Sequence, residues 1–272
     1  MTGPKRRRGL FILPSVFTAG NIAAGYYAIT QSLAGSALAP QHFNYAALAI
    51  GFAIPFDALD GRIARMTNTT RDFGKELDSL ADVVTFGVAP SVLAFAWGFR
   101  SLSVTANLIA QQRLIQLGAF ICFLFLICGA ARLARFNISH SPVALNPGRP
   151  DRKYFVGMPI PASAGMIAAV VHFFRGEPLT AWWMSLLWMA LVGLIGFLMV
   201  STWRFWSGKE INLFNRHPFR LLIALSAFVY ALVVFSEVVL LVMAVFYMCS
   251  GIFSRAAYSW SRRRKPVAVS SF

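Results

Sequence analysis

The chain has 272 residues, of which 57% are hydrophobic and only 13% charged, and its formal net charge is +15. That composition excludes an ordinary soluble domain and fits a protein with several membrane-spanning helices. The positive balance could suggest nucleic acid, but its placement along the chain, given below, argues against that partner. Cys122, Cys128 and Cys249 lie inside apolar stretches without metal-ligand spacing, so they read as small core residues and build no disulfide framework.

The chain opens with Lys5-Arg6-Arg7-Arg8 before a long apolar run. The run lacks a clear cleavage site and many similar segments follow it, so residues 1–13 read as a basic cytoplasmic anchor rather than a signal peptide. Hydropathy predicts an all-α, polytopic membrane helix bundle. Its eight expected spans are about 14–35, 43–66, 79–99, 114–136, 157–174, 180–202, 218–235 and 237–254, each close to the length a bilayer requires. The last pair is nearly continuous, with Glu237 at the expected turn. With the N-terminus inside, the cytoplasmic segments are 1–13, about 62–77, 131–156, 203–217 and 255–272. These segments and their helix ends hold every one of the 25 Lys and Arg residues except Arg100, Arg113 and Arg175. The asymmetry places both termini in the cytoplasm and presents a positive face to anionic lipid headgroups and anionic substrates. The whole of 1–272 reads as one membrane-embedded domain, ending in a basic tail that includes Arg262-Arg263-Arg264-Lys265.

The first span contains Pro14, Asn21 and Gly25. Asn21 either contacts a ligand or bonds across helices. In the second span Pro55 removes one helix hydrogen bond; a kink there would widen a cavity, although an ordinary membrane proline is an equally good reading. Asp57, Asp60, Gly61, Ala64 and Arg65 follow at i, i+3, i+4, i+7 and i+8, and so share one helix face. Gly74 comes next, then Asp78 and Asp82 at i, i+4 on a third helix expected to start at Asp78. Ionisable groups at membrane depth are costly and mark functional sites. Two helices joined by a short turn would bring the four carboxylates together, and their mutual repulsion calls for a cation. Mg²⁺ or Mn²⁺, shared with phosphate oxygens, fits oxygen ligands of this kind. Gly61, Ala64 and Gly74 leave room for a flat or bulky ligand, and Arg65 suits a phosphate.

The pattern D-x2-D-G-x2-A-R-x8-G-x3-D-x3-D resembles the signature of the CDP-alcohol phosphotransferases at all eight of its fixed positions. The resemblance implies an integral membrane enzyme that moves a phosphatidyl or similar group from a CDP-linked donor to an alcohol. It implies a six-helix family core, extended here by two C-terminal helices, and a homodimer. It implies two divalent ions, Mg²⁺ or Mn²⁺, held by Asp57, Asp60, Asp78 and Asp82, with Asp82 also acting as the catalytic general base. The CDP pocket would comprise Asn21, Asp57, Gly61, Ala64, Arg65, Gly74 and Asp78; a similar Pro-x6-Asn-x3-Gly pattern in related enzymes favours the ligand reading of Asn21. The active site would lie at the cytoplasmic face of a bacterial inner or cell membrane.

Further along, Gly87 and Pro90 read as helix packing or a kink. Arg132 and Arg135 are three apart at the end of the fourth span and share a face. They serve either as positive-inside anchors or as an anion site for a phosphate or an acceptor carboxylate. The run Arg-x2-Arg-x-Asn from Arg132 to Asn137, followed by Phe155-x-Gly157-x-Pro159-x-Pro161, resembles the phosphatidylserine synthase branch of the family. That resemblance implies CDP-diacylglycerol as donor, L-serine as acceptor, and phosphatidylserine and CMP as products. A related enzyme using glycerol 3-phosphate or inositol is the nearer alternative, and a cation transporter with carboxylates in its path the distant one. Lys153 either reaches the site or, as the reading favoured here, is solvated loop charge. Trp182, Trp183 and Trp188 read as interfacial anchors, and His42, His140, His172 and His217 as isolated histidines.

Overall fold

The structure is a computed structural model that describes residues 12–67, 72–102, 108–139, 154–206 and 218–263. Within these the chain forms helices α1 (Ile12–Ala34), α2 (Gln41–Thr67), α3 (Asp72–Asp82), α4 (Ala89–Gly98) and α5 (Leu108–Ser139). A short strand β1 (Tyr154–Val156) precedes α6 (Ile160–Phe173) and α7 (Trp182–Val200). Strand β2 (Arg204–Trp206) then leads to α8 (Pro218–Val234) and α9 (Ser236–Arg263). A π-helical segment, Val83–Val88, joins α3 to α4 without a break. Four described helices are long and apolar enough to cross a membrane: Glu76–Gly98, Leu108–Ile138, Trp182–Val200 and Ser236–Phe253. This is an all-α membrane protein.

Small residues let the helices approach closely, as membrane packing requires. Ala46, Ala47 and Ala53 on α2, Ala89, Ala94 and Ala96 on α4, and Ala164 and Ala168 on α6 are all buried in one core with Phe43, Phe86, Trp97 and Ile167. α1 packs on α2 and on the π segment, α2 on α6, α5 on α7, and α6 on α9. Outward faces stay apolar and exposed, as at Leu117, Phe120 and Phe123 of α5. α5 has 32 residues, about 48 Å at 1.5 Å per residue and so longer than a roughly 30 Å hydrocarbon core.

Several expectations are corrected. The third helix begins at Asp72, not Asp78, and runs through Asp82 into α4. Hydropathy placed its start late because Asp72, Lys75 and Glu76 make its first turns polar. Trp188 is a core residue, 3% exposed. Its indole Nε1 donates to the Ala94 carbonyl at 3.0 Å, and its ring meets Trp97 edge-on at 5.0 Å between centroids. Gly98 provides the slot, since a Cβ there would collide with the indole. Trp182 and Trp183 are exposed, as an interfacial role requires. A two-stranded antiparallel pair, with Phe155 opposite Phe205, was not foreseen. Three-residue strands leave too little alternation for a sequence pattern to register.

His172 and His42 are not isolated. The buried His172 places Nδ1 2.6 Å from Asn44 Oδ1 and Nε2 2.9 Å from Ser236 Oγ, tying α2, α6 and α9 together. Beside it Arg175 pairs with Glu237 at 2.8 Å, in the first turn of α9. His42 Nδ1 lies 2.6 Å from Gln31 Oε1. His140, His217 and Lys153 fall outside the described residues.

Candidate active site

Asp57 lies two residues beyond Pro55 on α2, while Asp78 and Asp82 lie one turn apart on α3. The two helices bring oxygens of these three carboxylates within 4.8 Å of one another. Asp82 Oδ1 is buried without a hydrogen-bond partner. Arg132, from the last part of α5, is within electrostatic reach of Asp82. Three carboxylates beside one guanidinium leave a surplus of negative charge in a site partly withdrawn from water, which a divalent cation would balance. An all-oxygen donor set with a spare buried oxygen fits a hard ion such as Mg²⁺ or Mn²⁺.

Asp60, Gly61, Ala64 and Arg65 follow Asp57 in the remaining turns of α2, so the backbone carries them on the expected face; their side chains lie outside the described residues. Gly74 is exposed on α3, with open space where a Cβ would stand.

Immediately after Asp82 the chain enters the π segment. Such bulges add a residue per turn and concentrate at functional sites. Here the widened turn presents Thr85 to α1. Thr85 Oγ1 donates to the Asn21 carbonyl at 2.8 Å. Gly25 makes the approach possible: a Cβ there would lie 2.6 Å from Thr85 Oγ1 and 2.9 Å from Thr85 Cα. Asn21 is 3% exposed, and its Oδ1 has no hydrogen-bond partner. A buried amide oxygen left open is an acceptor awaiting a donor. Gly25→Val should therefore force α1 and the π segment apart and destabilise the protein by about 1–3 kcal/mol. Thermal unfolding in detergent checks this, with Gly20→Val, where nothing lies within 4 Å, as the unaffected control.

The two arginines that sequence grouped together differ in their contacts. Arg135 donates to the carbonyls of Val200 at 3.1 Å and Val156 at 3.2 Å, pinning β1 and the end of α7 to α5. Gly157 turns the chain there with φ +77, packed against Arg135 and the Met199 carbonyl. Arg132 instead stacks on Phe136, 5.7 Å from the ring centroid, and its Nε is buried without a partner. Asn137 donates to Ser79 at 2.9 Å, fixing the end of α5 to the turn between Asp78 and Asp82. Thr85, Ser79 and Tyr247, an electrostatic neighbour of Arg132, were not singled out from sequence. Their partners lie 58 or more residues away in the cases of Ser79 and Thr85, and one sequence carries no signal of such pairings.

A family model for CDP-alcohol phosphatidyltransferases matches residues 11–195. The chain belongs to the CDP-alcohol phosphatidyltransferase family. The match contains every signature position together with Asn21, Arg132 and Arg135, whereas β2, α8 and α9 lie beyond it. Among its relatives is a Helicobacter pylori protein named CDP-diacylglycerol–serine O-phosphatidyltransferase, 34% identical over 75% of each chain. A Bacillus subtilis protein of the same name is 35% identical over 59% of this chain and 75% of its own. A Saccharomyces cerevisiae protein, again of that name, is 35% identical over 56% of this chain and 50% of its own. Membership in this family agrees with the carboxylate cluster: a CDP-linked substrate brings a diphosphate, and three acidic side chains cannot approach it without an intervening cation.

Proposed function

We propose that the protein transfers the phosphatidyl group of CDP-diacylglycerol to L-serine, producing phosphatidylserine and CMP. The observation that carries this reading is the convergence of Asp57, Asp78 and Asp82 within electrostatic reach of Arg132, in a chain whose family and named relatives point to that reaction. Asp57, Asp60, Asp78 and Asp82 hold the cation or cations. Bound there, Mg²⁺ or Mn²⁺ neutralises the charge that develops on the diphosphate as CMP leaves. Asp82 accepts the proton of the serine hydroxyl. The serine oxygen forms its bond to the β-phosphorus, the bond from that phosphorus to the bridging oxygen breaks, and CMP departs with that oxygen. The transfer is direct, with no covalent enzyme intermediate. Asn21, Gly61, Ala64, Arg65 and Gly74 line the CMP end, and Arg132 meets the acceptor carboxylate or the phosphatidyl phosphate, with Arg135 as its neighbour.

The reading extends to the setting. All of 1–272 acts as one domain of eight spans with both termini in the cytoplasm, working as a homodimer in a bacterial inner or cell membrane. The acyl chains stay in the bilayer while nucleotide and serine enter from the cytoplasm. Purified protein in detergent, given CDP-diacylglycerol with L-serine, glycerol 3-phosphate or inositol in turn, tests the acceptor. CMP release should be faster with serine by at least about tenfold; preference for either other alcohol would reassign it.

A further inference from the structure

Two contacts bring α1 up to the carboxylate site. Phe17 meets Phe56, the residue before Asp57, with ring centroids 6.4 Å apart. One turn further along α1, the Asn21 carbonyl accepts from Thr85 Oγ1, and Thr85 stands three residues past Asp82. Asn21 therefore lies beside the immediate neighbours of two of the three converging carboxylates. It belongs to a buried face of α1 made by Thr18, Asn21, Gly25, Ala28 and Ser32, spaced alternately by three and four residues. Ser32 Oγ on that face turns back to the Ala28 carbonyl of its own helix. Asn21 Oδ1 has no hydrogen-bond partner among the described residues, a costly state for a buried amide unless a ligand supplies the donor.

Thr85 is fully buried, and its hydroxyl does something that α1 does not need for its own folding. In the α-helical pattern the Asn21 carbonyl already has the Gly25 amide as its donor. The added bond from Thr85 sets how far α1 stands from the π segment and how it is turned. Gly25 leaves no slack there, since a Cβ would come within 2.6 Å of Thr85 Oγ1. We infer that Thr85 is a positioning residue for the donor end of the site: through the Asn21 carbonyl it holds the Asn21 amide where the CDP group binds. Thr85 itself does not touch substrate. The inference rests on the proposed place of Asn21 at the CMP end and is independent of which alcohol is the acceptor. It also gives the π segment a task, because the widened turn is what carries the hydroxyl to α1.

Thr85→Ser and Thr85→Ala in the full chain test this, because both lose the methyl group and they differ only in the hydroxyl. The KM for CDP-diacylglycerol should be about fivefold higher in Thr85→Ala than in Thr85→Ser, with Thr85→Ser within about twofold of wild type. The serine KM and kcat should stay within about twofold in both. A KM does not depend on how much of a preparation is folded, so partial loss of protein leaves the result readable. Asn21→Leu keeps the carbonyl and the side-chain shape but removes the amide, and should raise the donor KM about tenfold. In that background Thr85→Ala should add less than about twofold, because the group it positions is gone. Equal donor KM values for Thr85→Ser and Thr85→Ala overturn the inference. So do an equal rise in the donor and serine KM values, and a Thr85→Ala effect undiminished by Asn21→Leu. If Asn21→Leu raises the donor KM and Thr85→Ala does not, the inference fails alone and Asn21 keeps its place. If Asn21→Leu leaves the donor KM unchanged, the reading of Asn21 fails and takes the inference with it.

Discussion

Asp82→Asn should slow serine-dependent CMP release by about a thousandfold while the protein remains folded. Asp82 is half-buried, with its Oδ1 buried and without a hydrogen-bond partner, at the point where α3 passes into the π segment and close to both Asp57 and Asp78. The amide is nearly isosteric, so packing is preserved, but it cannot take up the proton of the attacking hydroxyl. Stability gives the complementary readout. Removing one of three clustered negative charges relieves repulsion, so in chelator the variant should melt no earlier than wild type. Near-normal turnover with intact folding would remove Asp82 from the base role. Lost turnover with a much lower melting temperature would show a structural role instead.

The second large effect is expected from removing divalent cations. Chelation should reduce CMP release to below about 1% of its starting value, with Mg²⁺ or Mn²⁺ restoring it and Ca²⁺ serving poorly, because a compact oxygen site favours the smaller ions. The same ions should raise the melting temperature of the substrate-free protein, since a ligand that binds only the folded state adds about 2.7 kcal/mol at a hundred times its Kd. Asp57→Asn and Asp78→Asn should shift that stabilisation to higher ion concentration. They act on different helices, so matching shifts would confirm that α2 and α3 share one cation site. Full activity in chelator, or ion stabilisation unaffected by either substitution, would refute the metal-centre reading.

The carboxylate site was legible because its residues violate the surrounding chemistry. Aspartates flanked by apolar sequence draw attention by cost alone, and spacing put Asp57 and the Asp78–Asp82 pair on faces that the helices do turn toward each other. The helices themselves were legible from hydropathy, with one consistent error. Where a membrane helix begins with polar residues, as α3 does at Asp72, hydropathy marks the bilayer and not the helix. What stayed hidden depended on partners distant in sequence. Arg132 and Arg135 have the same periodicity and chemistry, and only the carbonyls of Val156 and Val200 separate their roles. Trp188 reads as an interfacial anchor until Trp97 and Gly98 enclose it. The contact between Thr85 and Asn21 depends on the π segment, a register change that the local sequence does not announce.

Pro55 carries no amide hydrogen, so the Gly51 carbonyl has no donor four residues ahead of it within α2. The helix is continuous there, but its bending stiffness drops at that point. On one side Phe43, Ala46, Ala47 and Ile50 are locked into the core, while Asp57, Asp60, Gly61, Ala64 and Arg65 lie on the other. The end of α2 that carries Asp57 can therefore tilt about a single compliant joint while the packed half stays still.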